Sequence, residues 1–134
     1  MEQDKQQEIL QKLHFYEQQL GYLDQQSRAV EEGILELNTL SLGLDEIAKC
    51  EGEEILAQVG RGIFVKAKLS SKDLIVDVGS KNLVKKDISG TKEIISKQIN
   101  KLNDLKEELS DKIEEVQREA TEILNETQRS EQEN

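Results

Sequence analysis

Apolar residues in this chain recur with two different periods, and the changes of period divide it into three segments. In the first, Ile9, Leu13, Tyr16, Leu20, Leu23, Ser27, Val30, Ile34, Leu37, Ser41 and Leu44 follow one another at alternating spacings of four and three, and nine of these eleven are apolar. Such spacing keeps a narrow stripe along one side of a helix, the seam of a coiled coil rather than the wider face of a globular-domain helix. The last segment repeats it through Ile95, Ile99, Leu102, Lys106, Leu109, Ile113, Val116, Ala120 and Ile123, with Ile88 one heptad before Ile95. Asp87 or Ser89 is placed to cap this second helix. Gly21 and Gly33 fall off the first seam, and each costs about 1 kcal/mol relative to Ala.

The two seams match in length, Ile9 to Leu44 and Ile88 to Ile123, 36 residues each, or about 54 Å of helix. If the chain turns back between them, antiparallel partners have residue numbers summing to about 132. That places Leu37 beside Ile95, Leu23 beside Leu109 and Ile9 beside Ile123, and brings the polar seam residues Ser27 and Lys106 into one layer. A shared polar layer penalises slipped registers. The matched lengths favour pairing within the chain, with pairing between chains as the alternative.

Between the seams the period becomes two. Residues 54–59 are β-compatible, Gly60-Arg61-Gly62 turns, and residues 63–69 alternate. Ser70-Ser71-Lys72-Asp73 is a second turn, Leu74–Val78 a third strand, Gly79-Ser80-Lys81-Asn82 a third turn and Leu83–Lys86 a brief fourth strand. Short strands punctuated in this way are successive antiparallel hairpins. Four of them hold too few apolar residues to close a core. Ile63, Val65, Ala67 and Leu69, with Val76 and Val78, are expected to stay partly exposed, and the strand edges to carry unpaired backbone groups. Copies or relatives of the chain must then join through this platform. Off-seam Leu35, Leu40, Leu42 and Ile47 are expected to dock the first helix on it.

Composition sharpens the helical assignment. The chain of 134 residues is 35% hydrophobic and 34% charged, with no Pro, no Trp, two Phe and two Tyr. Prolines would break long helices, and a compact globule would hold more aromatic residues. Net charge is −7 over residues 1–48, +2 over 49–87 and −5 over 88–134. Acidic arms repel phosphate backbones and anionic lipid, which argues against nucleic-acid and membrane partners. The polar N-terminus and the lack of a long apolar run point to a cytoplasmic protein.

Candidate chemistry is sparse. Gly60-Arg61-Gly62 lacks the Gly-Lys-Ser/Thr ending and the following helix of a phosphate loop, and reads as a hairpin turn. One His, His14, and one Cys, Cys50, offer no metal-ligand spacing and no disulfide. The pairs Glu31-Glu32, Glu107-Glu108 and Glu114-Glu115 point about 100° apart on a helix and belong to solvated faces. No catalytic, cofactor or metal residue is assigned.

Val59-Gly60-Arg61-Gly62-Ile63-Phe64-Val65-Lys66-Ala67, and Ile75-Val76-Asp77-Val78-Gly79-Ser80 running through Val84-Lys85-Lys86-Asp87 into the second helix, resemble the prefoldin family, in its archaeal-type alpha class. Two hairpins, where the beta class has one, carry the distinction, and the resemblance covers roughly residues 5–125. One departure is Asn82, in a turn where the family often has Gly; Asn tolerates a left-handed conformation.

The resemblance implies an α+β fold: a long antiparallel two-helix coiled coil joined by two β-hairpins that pair into an oligomeric β-barrel platform. It makes residues 1–134 a single domain: an N-terminal coiled-coil helix over 1–48, assembly hairpins over 53–87, a C-terminal helix over 88–125 and a frayed tail over 126–134. It further implies a hexamer of two alpha and four beta subunits, an ATP-independent, non-enzymatic chaperone without cofactors. Unfolded polypeptides would be held at the arm tips and passed to a group II chaperonin. The candidate client-binding residues are Ile9, Leu10, Leu13, Phe15, Tyr16, Val116, Ile123 and Leu124, of which the seam members equally serve to pack the pair. The candidate assembly residues are Ile63, Phe64, Val65, Ala67, Leu74, Val76 and Val78. A coiled-coil adaptor or scaffold subunit of another complex is the alternative, and a polar tip would favour it.

Overall fold

The computed structural model describes residues 2–132, with side chains described for 2–129. Its elements run α1 (Glu2–Ala48), β1 (Glu54–Gly60), β2 (Ile63–Lys68), β3 (Leu74–Asp77), β4 (Leu83–Lys86) and α2 (Ile88–Gln132). They divide into two compact units, Met1–Gly33 with Lys101–Asn134, and Ile34–Asn100.

In the first unit the two helices pair antiparallel along the heptad seam. Leu23, Val30 and Leu109 are buried, and Ile9, Leu13, Tyr16, Leu20, Leu102, Ile113, Val116, Ala120 and Ile123 are half-buried. Contacts across the pair are antiparallel, but they lie about one helical turn beyond the expected sum of 132: a Cβ on Gly33 would face Leu102 Cδ1 and Lys106 Nζ lies 3.6 Å from Glu31 Oε1, sums of 135 and 137. The Lys106–Glu31 pair corrects the expected polar layer. Ser27 is half-buried, but Lys106 is exposed and turns to Glu31, because a seam ammonium gains more from a carboxylate at the solvent edge than from a hydroxyl inside. Gly33 also differs from expectation. A Cβ there would stand 3.3 Å from Leu102 Cδ1, so this glycine lets Leu102 seat against the backbone of α1.

α2 runs through part of the expected tail, as far as Gln132. Nothing in Asn125–Gln132 breaks a helix, and Thr127 extends the seam at half-buried depth, its Oγ1 donating to the Ile123 carbonyl at 2.8 Å. Residues 133 and 134 lie outside the described residues.

In the second unit Leu44 and Ile95 are buried and Lys92 pairs with Asp45. Asp87 caps α2, its Oδ1 accepting from Gly90 N at 2.7 Å; Ser89 is not needed. The strands form two separate two-stranded sheets, β1–β2 and β3–β4. Both are antiparallel, with Leu56 opposite Lys66, Gln58 opposite Phe64, Ile75 opposite Lys85 and Asp77 opposite Leu83. Backbone bonds Leu69 N to Glu53 O and Gly52 N to Leu69 O, at 3.0 and 2.8 Å, extend the first hairpin past its strand ends.

The turns explain the hairpins. Gly60 pairs with Ile63, leaving the two-residue loop Arg61-Gly62 with φ of 45° and 78°. Two positive φ angles match the right-handed twist of the strands, and glycine supplies one without strain. The second hairpin turns through Ser80 (φ 51°) and Lys81 (φ 63°), closed by Asn82 N to Gly79 O at 3.0 Å. The left-handed residues are thus Ser80 and Lys81 rather than Asn82. Two side-chain-bearing residues there cost about 1 kcal/mol or more each.

Candidate functional site

The candidate tip residues all lie in the first unit, and they separate by depth. Ile9, Leu13, Tyr16, Val116 and Ile123 sit on the seam and are half-buried; Leu10, Phe15 and Leu124 stand off it and are exposed, Leu10 to 65% and Phe15 to 55%. The heptad dictates this, because residues one position from a seam residue point about 100° away from the partner helix. Phe15 and Tyr16 are neighbouring rings, centroids 6.1 Å apart and tilted 57°. With Glu8, Gln11, Lys12 and Ile123 they line an open groove of about 450 Å³. Leu10 and Leu124 are not among its lining residues.

Tyr16 also reads the charge around that groove. Partial desolvation, then the Glu119 carboxylate that its hydroxyl faces, then Glu122, raise the phenol above its ordinary value.

The candidate assembly residues lie in the second unit and are mixed in depth. Ile63, Phe64, Val65 and Val78 are exposed, whereas Ala67, Leu74 and Val76 are half-buried. Val78 stands just beyond β3 and Leu69 just beyond β2. Sequence reasoning passed over Leu56, Val59, Ile75, Leu83 and Val84, which are also exposed; Ile75 at 73% is more open than any residue it chose. Ile75 and Leu83 sit on one face of the second hairpin and, with Ile55, Leu69 and Lys85, line a groove of about 680 Å³. Burial alternates along β1 and β3, so one face is half-covered and the face bearing Ile75 and Leu83 is the more open. Leu35, Leu40 and Leu42 likewise remain exposed and only Ile47 is half-buried. The expected docking of these leucines on the strands does not occur, because strands of four to seven residues offer too little surface.

A salt link fixes the second hairpin at its open end, Lys85 Nζ to Asp73 Oδ2 at 3.1 Å. Lys85, first, and the Ser71 hydroxyl hold the Asp73 carboxyl below its ordinary value. Among the described residues no group of three His, Cys, Asp or Glu side chains is placed to hold a metal ion, and no helix is long and apolar enough to cross a membrane.

A helix, two hairpins and a matched antiparallel helix make a recognisable set. The family model for prefoldin subunits matches residues 16–133. The chain belongs to the prefoldin family. Within it, the chain is 35% identical over 89 residues to a prefoldin subunit alpha of Methanobrevibacter smithii, an alignment covering 66% of this chain and 61% of that protein. It is 25% identical over 85 residues to a prefoldin subunit alpha of Methanosphaera stadtmanae, covering 63% and 62%. The chain thus spans about three fifths of the length of these alpha-class relatives. A cryo-EM structure of filamentous PFD from Methanocaldococcus jannaschii superposes with a TM-score of 0.76 at 20% identity, over 87% of this chain and 98% of that one. That likeness establishes the prefoldin fold.

Proposed function

We propose that this chain is the alpha-type subunit of an ATP-independent, non-catalytic chaperone, joined through its hairpins to beta-type prefoldin subunits in a hexamer of two alpha and four beta chains. The assembly captures non-native proteins at the terminal ends of its helices and passes them to a group II chaperonin in the cytoplasm. The observation that carries capture is the open groove at Phe15 and Tyr16, with Leu10 and Leu124 exposed off the seam in the same unit. Each such side chain offers roughly 1.5–3 kcal/mol on full burial, enough for weak, reversible attachment of many different unfolded segments. Hairpins with exposed apolar faces and open edges support the assembly step, and family membership supports the transfer step.

The test is co-expression with a beta-type subunit, native mass measurement, and suppression of aggregation of a chemically denatured client. The wild-type oligomer delays aggregation without nucleotide. Leu10→Ser with Phe15→Ser assembles to the same mass and loses most of that delay. Unchanged suppression by the double variant contradicts capture at this groove.

A further inference from the structure

The proposed capture site is not merely apolar. Its floor is Phe15, Tyr16 and Ile123, and Glu8 and Lys12 are the charged side chains among its lining residues. Glu119 and Glu122 bear on the Tyr16 hydroxyl from α2, and Glu119 and Glu126 flank Ile123 at the i−4 and i+3 positions that share its face. Glu8 and Lys12 offset each other within the lining, so the negative excess comes from the surroundings: residues 2–17 hold four acidic and two basic side chains, and residues 114–129 five and two, a net charge of −5.

We infer that this groove selects cationic amphipathic segments of unfolded polypeptide, in which an aromatic or branched apolar side chain lies within a few residues of Lys or Arg, over equally apolar segments that are neutral or acidic. The inference rests on the capture reading and adds the class of client. An incoming apolar side chain meets Phe15 and Ile123. The aliphatic stem of a neighbouring Lys or Arg lies along the same floor while its head group reaches Glu8 and the carboxylates that act on Tyr16. The faces of Phe15 and Tyr16 attract the same cations. An acidic segment gains the apolar contact but brings its carboxylates against Glu8, Glu119 and Glu122 in a field already negative.

The experiment uses the co-expressed oligomer with a photo-crosslinker at Gln11 of this chain, so that the yield reports this groove alone. Three permanently unfolded peptides share one apolar sequence and carry Lys, Gln or Glu at the same intervening positions. The Lys peptide half-saturates crosslinking at about tenfold lower concentration than the Gln peptide at low ionic strength, and at about twofold lower concentration near 0.5 M salt, because exposed carboxylates act weakly and are screened. The combined variant Glu8→Gln, Glu119→Gln, Glu122→Gln brings the Lys-to-Gln ratio toward one. Phe15→Ser reduces crosslinking of all three. Equal half-saturation by the Lys and Gln peptides overturns the selectivity while leaving capture standing, and binding by none of them overturns capture itself. A Lys preference that survives the triple substitution, or a folded cationic protein that competes as well as the unfolded Lys peptide, also overturns the inference.

Discussion

In the paired helices Leu23, Val30, Leu44, Ile95 and Leu109 are buried, whereas in the hairpins Leu56, Val59, Ile63, Ile75 and Leu83, residues of the same kind and size, stand open. The difference is one of supply. A heptad seam asks each helix for one stripe and receives one from the other helix, so the chain satisfies it alone. A two-stranded sheet has two faces and two edges, and here one face is half-buried while the other and the edges stay open. An isolated hairpin is marginal at best. The helices are therefore the part of the molecule that buries its own apolar stripe, and the hairpins the part left open for the assembly proposed above.

Substitution of the seam should show the largest effect. Leu109→Ala removes a buried side chain and is expected to cost about 2–4 kcal/mol, read as a lower urea midpoint for loss of helical circular dichroism. Ile75→Ser with Leu83→Ser reverses the pattern: helix content and midpoint stay nearly unchanged, while the native mass of the co-expressed complex falls. A double variant that unfolds the helices as readily as Leu109→Ala breaks the comparison.

Turn chemistry sharpens it. Replacing Ser80-Lys81 by Asn-Gly supplies the residues that two positive φ angles favour. The expected gain is about 1 kcal/mol in the hairpin, seen as stronger amide protection over residues 74–86 with none added in residues 9–37. In the helices, Gly21→Ala meets open space and should stabilise by about 1 kcal/mol. Gly90→Ala puts a methyl group 2.6 Å from the capping Asp87 Oδ1. The loss of that cap offsets the propensity gain, and its thermal midpoint should stay near wild type.

The smallest effect is that of pH on the Asp73–Lys85 link. A carboxyl held below its ordinary value in the folded chain stabilises above the ordinary carboxylate range, and that contribution is lost as pH falls through the lowered value. Both groups are exposed, so the change should be a slight loosening of the second hairpin below the carboxylate range, absent in Lys85→Met.

The helices were legible in the sequence nearly residue by residue, because a seam of alternating four and three has one phase. Every position chosen in the first helix is at least half-buried. Lys106, the exception in α2, is the one whose charge sends it outward to Glu31. The hairpins were legible as turns and strands but not as surfaces. Period two assigns Ile75 and Leu83 to one face and Val76 to the other, and says nothing about which face is left uncovered when no second layer exists. The tip groove was half legible: Phe15 and Tyr16 follow from spacing, but the influence of Glu119 and Glu122 on Tyr16 emerges only when the late turns of α2 are laid against the early turns of α1.

Amide hydrogen exchange on the chain alone, at a dilution where its mass is that of a monomer, and again in complex with a beta-type subunit, tests most directly whether the hairpins depend on a second chain. Residues of both helical seams should be protected in both states, while residues 54–86 exchange rapidly in the monomer and become protected by orders of magnitude in the complex. Full protection of residues 54–86 in the monomer would contradict the account.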